Sequence, residues 1–236
     1  MAQRTNHLGQ PIGEPVPDWR PRPRPPRTPM QGRLCRLEPL QAERHAAALH
    51  EAYCADREGR NWTYLPYGPF ASAADYAVWV RSVESLEDPV FHAILDAPTR
   101  RPVGVASYLR IDPAMGVIEV GHLNYAPALQ GTAAATEAMW LMMRRAFEEL
   151  GYRRYEWKCD TFNVPSRVAA ERLGFRYEGT FRQAVVMKGR NRDNAWFSIT
   201  DGEWPALRSA LERWLDPSNF EASGKQRRRL AELRAS

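Results

Sequence analysis

The sequence predicts a mixed α/β domain of three layers, and three observations carry that expectation. Between residues 91 and 125, three short segments rich in β-branched and aromatic residues follow one another, with turn signals between them. Residues 132–150 form the longest stretch of helical character, rich in Ala, Met, Leu and Trp. Behind it a strand, a short helix and further strands alternate, which neither a helical bundle nor an all-β sandwich would require.

The elements follow in chain order. RLCRLEPL (33–40) alternates and reads as a strand. Residues 41–55 are helical, with Ala42, His45, Ala46, Leu49 and Tyr53 near one face. An aromatic loop comes next, Trp62–Phe70 (WTYLPYGPF), broken by Pro66, Gly68 and Pro69. Ser72 caps a second helix over 73–85. Phe91–Leu95, Val103–Ile111 and Val117–Tyr125 are the strands of the meander, with turns at 96–101 and 112–116. In the long helix Glu137, Arg144, Arg145, Glu148 and Glu149 form a polar stripe expected to meet water, and Gly151 stops it. Arg154–Asp160 is a strand, and Asn163 opens a short helix that ends at Leu173-Gly174. Strands are expected near 175–181, 184–188 and 195–200, with GRNRDN (189–194) as the hairpin loop, and a helix over 203–215 closes the domain.

Composition bounds the function. The 236 residues are 44% apolar and 26% charged, which excludes a disulfide scaffold and a wholly disordered chain. No apolar run approaches the roughly 20 residues of a membrane-spanning helix, and the N-terminus carries no apolar signal segment. Three scattered cysteines, Cys35, Cys54 and Cys159, fit a reducing compartment, so a cytoplasmic protein without metal is expected. The net charge of +5 lies at the ends: residues 1–30 contribute +3, residues 216–236 contribute +2, and the middle is neutral. A folded nucleic-acid binder would carry the excess on its domain, so neither a nucleic-acid nor a membrane partner is expected. Eight prolines within 11–29 favour an extended arm. The expected organisation is a Pro/Arg-rich flexible arm (1–30), a domain (31–215) and a basic tail (216–236).

Two stretches carry candidate chemistry. The first runs from Glu119 through His122 and Pro127 to Gln130-Gly131-Thr132-Ala133-Ala134-Ala135-Thr136. A strand there hands over to a helix whose first residues are small, a ready anion site because free amides and the positive end of the dipole converge. The alternative is an Ala-rich helix start packed on a sheet. The second is CDTFNVPSRVAAERLGF (159–175), where Asn163 and Ser166 stand three apart at a helix start. Taken singly, Asn163 is an N-cap and Pro165 an early helical proline.

Together these stretches resemble the GNAT superfamily of acyl-coenzyme A-dependent N-acetyltransferases, over about residues 33–204. The pattern Gln130…Ala135 matches the family's pyrophosphate loop in part: Ala133 stands where glycine is usual, and Gly131 is displaced from that position. Asn163-x-x-Ser166, Leu173-Gly174-Phe175, Glu178-Gly179 and WFSITDGEW (196–204) are similar to the RimJ/RimL branch. The resemblance implies a central, mostly antiparallel sheet with helices on both faces. It implies acetyl-coenzyme A as co-substrate and an amine acceptor, a protein N-terminus or a small molecule, on a monomer or homodimer. It implies that amides of Thr132–Thr136 hold the pyrophosphate and that backbone at Leu123, Asn124 and Tyr125 pairs with the pantetheine arm. Asn163 would bond the pantetheine and Ser166 would protonate the leaving thiolate. The family's other acid, a tyrosine seven residues after the asparagine, is replaced by Ala170.

A base is needed to take a proton from the acceptor. Glu119 and His122 are the candidates, Glu119 first. Three apart on a regular strand they face opposite sides, and only a bulge brings both into one cleft. Cys159 has no local base and reads as a small core residue, so direct transfer in a ternary complex is expected. The competing expectation is a coenzyme A-binding module of the same fold with a regulatory role and little catalysis.

Overall fold

A computed structural model describes residues 4–235. Its centre is one sheet of eight strands in the order β1-β2-β3-β4-β5-β6-β8-β7. The strands are β1 (Met30–Gln31), β2 (Cys35–Pro39), β3 (Val90–Asp96), β4 (Pro102–Asp112), β5 (Val117–Tyr125), β6 (Arg154–Asp160), β7 (Arg176–Met187) and β8 (Arg190–Thr200). Every neighbouring pair is antiparallel except β5 and β6. The helices are α1 (Ala47–Tyr53), α2 (Ala73–Val83), α3 (Ala133–Arg144), α4 (Val164–Leu173), α5 (Trp204–Leu215) and α6 (Leu230–Ala235).

The sheet separates two cores. Alternate residues of β3 show it: Val90 and Ile94 join one core with α3, α4, α5 and α6, while Phe91 and Ala93 join the other with α1 and α2. Period-two alternation sends successive side chains to opposite faces, so a strand buried on both sides reads as nearly continuous apolar sequence. Ser72 caps α2 as expected, its hydroxyl accepting from the Asp75 amide at 3.1 Å. Wide π-type turns flank two helices: Ala42–Ala46 leads into α1, and Arg145–Glu149 continues α3.

Several expectations are corrected. The strands expected at 175–181 and 184–188 are one strand, β7, with a register shift between Phe181 and Val185. GRNRDN is mostly strand, since Arg190 and Asn191 pair with Met187 and Val186 and only Lys188-Gly189 turn. Glu137 and Arg145 do not face water. The Glu137 carboxylate accepts the amides of Arg33, Leu34 and Cys35 at 2.6–3.0 Å, fixing the β1–β2 turn.

The proline-rich segment, expected as a free arm, lies against the domain. Arg145 donates to the carbonyls of Thr28 and Pro29 at 2.8 and 3.0 Å. Tyr152 donates to Pro23 at 3.1 Å, and the indole of Trp19 to Ala114 at 2.7 Å. Proline removes donors but keeps carbonyl acceptors, and these side chains supply the missing donors. The segment expected as a basic tail carries α6, whose Leu230 and Leu233 are buried beside α5. Residues 1–3 and Ser236, at the far ends of these segments, lie outside the described residues. No helix among the described residues is long and apolar enough to cross a membrane.

Candidate active site

β5 and β6 run parallel from Val117↔Arg154 to Val120↔Trp157 and then part. Beyond that point β6 pairs only with β8, and β5 only with β4. The two strands therefore open a wedge, with the start of α3 following β5 and the start of α4 following β6. Backbone groups along such a wedge need partners that the sheet does not provide.

A bulge sits at the opening. The register of β4 on β5 shifts between Val105↔Asn124 and Ser107↔Gly121, and His122 takes a left-handed conformation (φ 51°). The extra residue rotates the strand, so His122 joins Glu119 and Asn124 on the face toward α1 and α2. Its ring stacks on Tyr67 at 5.6 Å and lies 5.1 Å from Phe91.

Glu119 is 3% exposed. Its Oε2 accepts from Lys158 at 3.1 Å and faces the Arg110 guanidinium at 3.5 Å. Burial pushes its carboxyl above the usual range, and the two cations oppose the rise. His122 goes the other way: burial, with Arg192 nearby, pushes it down to about 4, so the ring is neutral near pH 7.

The helix starts are less open than their sequences imply. Thr132 caps α3: its hydroxyl accepts from the Ala135 amide at 3.2 Å and donates to Leu129 at 2.7 Å. The Thr132 amide is bonded to Leu129, and the Thr136 amide falls inside the helical ladder. Of the five amides expected to hold a pyrophosphate, those of Ala133 and Ala134 remain for an anion. Gly131, left-handed at φ 72°, has open space on its Cβ side. The Gln130 side chain is turned away from that loop, donating to Asn61 and to the Tyr125 carbonyl at 2.9 and 2.8 Å. That carbonyl also accepts from Asn61 at 2.8 Å and is filled, and the Asn124 carbonyl takes the Tyr53 hydroxyl at 3.1 Å. Leu123 is left as the strand position best suited to pair with an extended ligand. The Asn124 side-chain oxygen is buried without a partner among the described residues.

On α4, Asn163 caps the helix by accepting from the Ser166 amide at 3.2 Å. The indole of Trp157 donates to the Ser166 hydroxyl at 3.0 Å, and the hydroxyl's own proton is within reach of the Cys159 sulfur. Cys159 is held as a thiol by burial, against an acyl-enzyme role.

The family model for the acetyltransferase (GNAT) domain matches residues 34–176. A GCN5-related N-acetyltransferase structure from Brucella melitensis is 46% identical, with a TM-score of 0.92, covering 94% of this chain and 100% of that one. The chain belongs to the GNAT acetyltransferase family. A GNAT-family structure from Chromobacterium violaceum is 40% identical, with a TM-score of 0.77, covering 83% of this chain and 97% of that one. The Bacillus subtilis protein YdaF, named provisionally as a ribosomal N-acetyltransferase, is 28% identical over 71% of this chain and 90% of its own length. The activity this GNAT domain carries is therefore acetyl transfer.

Residues that the sequence did not single out brace the aromatic loop 62–70 against the β7–β8 hairpin. Lys188, at the β7–β8 turn, donates to the carbonyls of Trp62 and Gly68 at 2.8 and 2.9 Å. Arg192 reaches the Tyr64 carbonyl at 3.3 Å, so the hairpin tip grips the aromatic loop. The loop needs Gly68: a Cβ there would stand 2.4 Å from the Trp62 ring. Among the described residues no group of three or more His, Cys, Asp or Glu is placed to hold a metal ion.

Proposed function

We propose that the protein transfers an acetyl group from acetyl-coenzyme A to a primary amine, by direct attack in a ternary complex. The observation that carries this reading is the wedge between β5 and β6, opened by the His122 bulge and flanked by two helix starts. The residues present fit the donor. The amides of Ala133 and Ala134 with Gly131 suit a pyrophosphate, Leu123 suits the pantetheine arm, and Asn163 and Ser166 stand across the wedge. The aromatic loop and hairpin tip give the acceptor side. YdaF's name and the similarity to the RimJ/RimL branch favour a protein N-terminus over other amines.

In this reading Glu119 takes one proton from the acceptor ammonium. The freed amine attacks the thioester carbonyl, forming C–N, and C–S breaks. Ser166 passes its proton to the departing thiolate and recovers one from the nitrogen, so the net release is the single proton that Glu119 returns to water. The polarised carbonyl is served by β5 backbone at the bulge.

The test is a thermal shift with acetyl-coenzyme A, together with thiol release across peptide and small-amine acceptors. Saturating donor raises Tm through linkage. Ala134→Glu, which sets a carboxylate among the pyrophosphate amides, weakens donor binding at least about tenfold while the protein stays folded. Binding without turnover on any amine would instead favour a regulatory coenzyme A-binding module.

A further inference from the structure

The Glu119 cluster is asymmetric. Both cations hold one oxygen: Lys158, two residues beyond Glu156 on β6, donates to Oε2 at 3.1 Å, and Arg110 on β4 faces the same oxygen at 3.5 Å. Arg110 is brought there by an irregularity of its own. It has φ 47°, the β4–β5 register shifts between Leu109 and Asp112, and its amide donates to Asp88 at 3.0 Å. The other oxygen, Oε1, lies beside Gly121, 3.6 Å from where a Cβ would stand. Gly121 is the last residue before the bulge, and the Leu109 side chain packs over it, 2.9 Å from that same point, so Oε1 lies between Gly121 and Leu109 on the side away from both cations. Beneath the cations lies one aromatic ring: Trp196 on β8 is 4.8 Å from the Lys158 nitrogen and 5.7 Å from the Arg110 guanidinium. Lys158 and Trp196 are cross-strand partners, so their contact is set by register.

We propose that Lys158 is a positioning residue for the transfer: seated on Trp196, it pins Oε2 of Glu119 and leaves Oε1, which neither cation holds, as the oxygen that meets the acceptor amine. This rests on Glu119 being the base. The charges facing Glu119 are Lys158 and Glu156 from β6 and Arg110 from β4, and Glu156 is itself paired with Arg154 at 2.6 Å. Lys158 thus works against the burial that favours the protonated carboxyl, and keeps the base ionised at a pH where an unpaired buried glutamate would hold its proton.

The experiment is the pH dependence of kcat/KM for Lys158→Met, Lys158→Arg and Glu119→Gln, with one acceptor throughout so that its own ionisation is common to all. Lys158→Met moves the acidic limb to higher pH by about one pH unit and lowers kcat at pH 7, with the KM for acetyl-coenzyme A unchanged. Lys158→Arg restores most of the wild-type profile. A Lys158→Met profile that overlays the wild type, while Glu119→Gln loses the limb, overturns the positioning role and leaves the base assignment standing. A limb that persists in Glu119→Gln overturns both. Should Lys158→Met fail to fold, Trp196→Leu carries the test, with a smaller shift of the same sign expected and an unmoved limb counting against the proposal.

Discussion

The two halves of β5 differ in almost everything except sequence continuity. Val117–Val120 lies between β4 and β6, in unbroken parallel register with β6, and its apolar residues Ile118 and Val120 are fully in the core. Gly121–Tyr125 has β4 alone, carries a left-handed histidine and leaves the buried Asn124 oxygen without a partner. The first half is paired on both edges, while the second is paired with β4 alone and, at Asn124 and Tyr125, with side chains of Tyr53, Asn61 and Gln130. In the proposed reading the same strand is scaffold at one end and binding surface at the other, with Glu119 at the boundary, its carboxylate held by Lys158 and Arg110.

If that division is right, the largest effect comes from the boundary. Glu119→Gln keeps the shape and removes the charge, and kcat/KM is expected to fall about 10²-fold with donor affinity nearly unchanged. Stopped turnover with intact thermal stabilisation by acetyl-coenzyme A is the expected pair of readings. Retained turnover would place the boundary elsewhere. A smaller effect is expected across the wedge. Ser166→Ala removes the hydroxyl that Trp157 orients, and kcat falls about tenfold, the lower part of the range for one proton-transfer group. A thiol leaving group of low basicity needs less help than an amine, so an acceptor series shows the same loss throughout. A loss confined to KM would make Ser166 a binding residue only.

The same division explains what the sequence disclosed. Val117–Tyr125 is legible to its ends, because alternation and flanking turns mark a strand. The helix starts at Thr132 and Asn163 are legible through their caps. The bulge is not, because a positive φ is uncommon for any residue but glycine, and a histidine, though enriched there, does not mark the position by itself. The burial of Arg145 and Glu137 is hidden for another reason. Their partners are carbonyls at 28–29 and amides at 33–35, more than a hundred positions away, and a charged residue on a helix defaults to the solvent face. Gln130 matched a motif, yet the structure uses it to lock Asn61 and Tyr125. A motif read by position does not reveal which of its members the local fold has already consumed.

The smallest effect on activity is expected from His122, despite its place in the open half. Its ring is clamped between Tyr67 and Phe91, and burial lowers its pKa to about 4. A base so weak takes a proton poorly near pH 7. His122→Asn is the informative variant, since asparagine tolerates the left-handed backbone that the bulge requires. Its kcat/KM is expected to stay within about threefold of wild type, with the acidic limb unmoved. Stability responds instead. Loss of the stacked ring lowers Tm by a few degrees, about 2–4 °C per kcal/mol for a chain of this size. The pH dependence of stability changes with a definite sign. The folded His122 pKa lies below its unfolded value of about 6.5, so the unfolded chain binds the extra proton first, and native stability falls as pH drops from about 6.5 toward 4. His122→Asn removes that contribution, and urea midpoints measured between pH 7 and pH 4 decline less steeply. They do not become flat, because His92, fully buried and pushed down to about 3, contributes with the same sign. A tenfold loss of activity in folded His122→Asn, with the acidic limb gone, would move the base from Glu119 to the bulge itself.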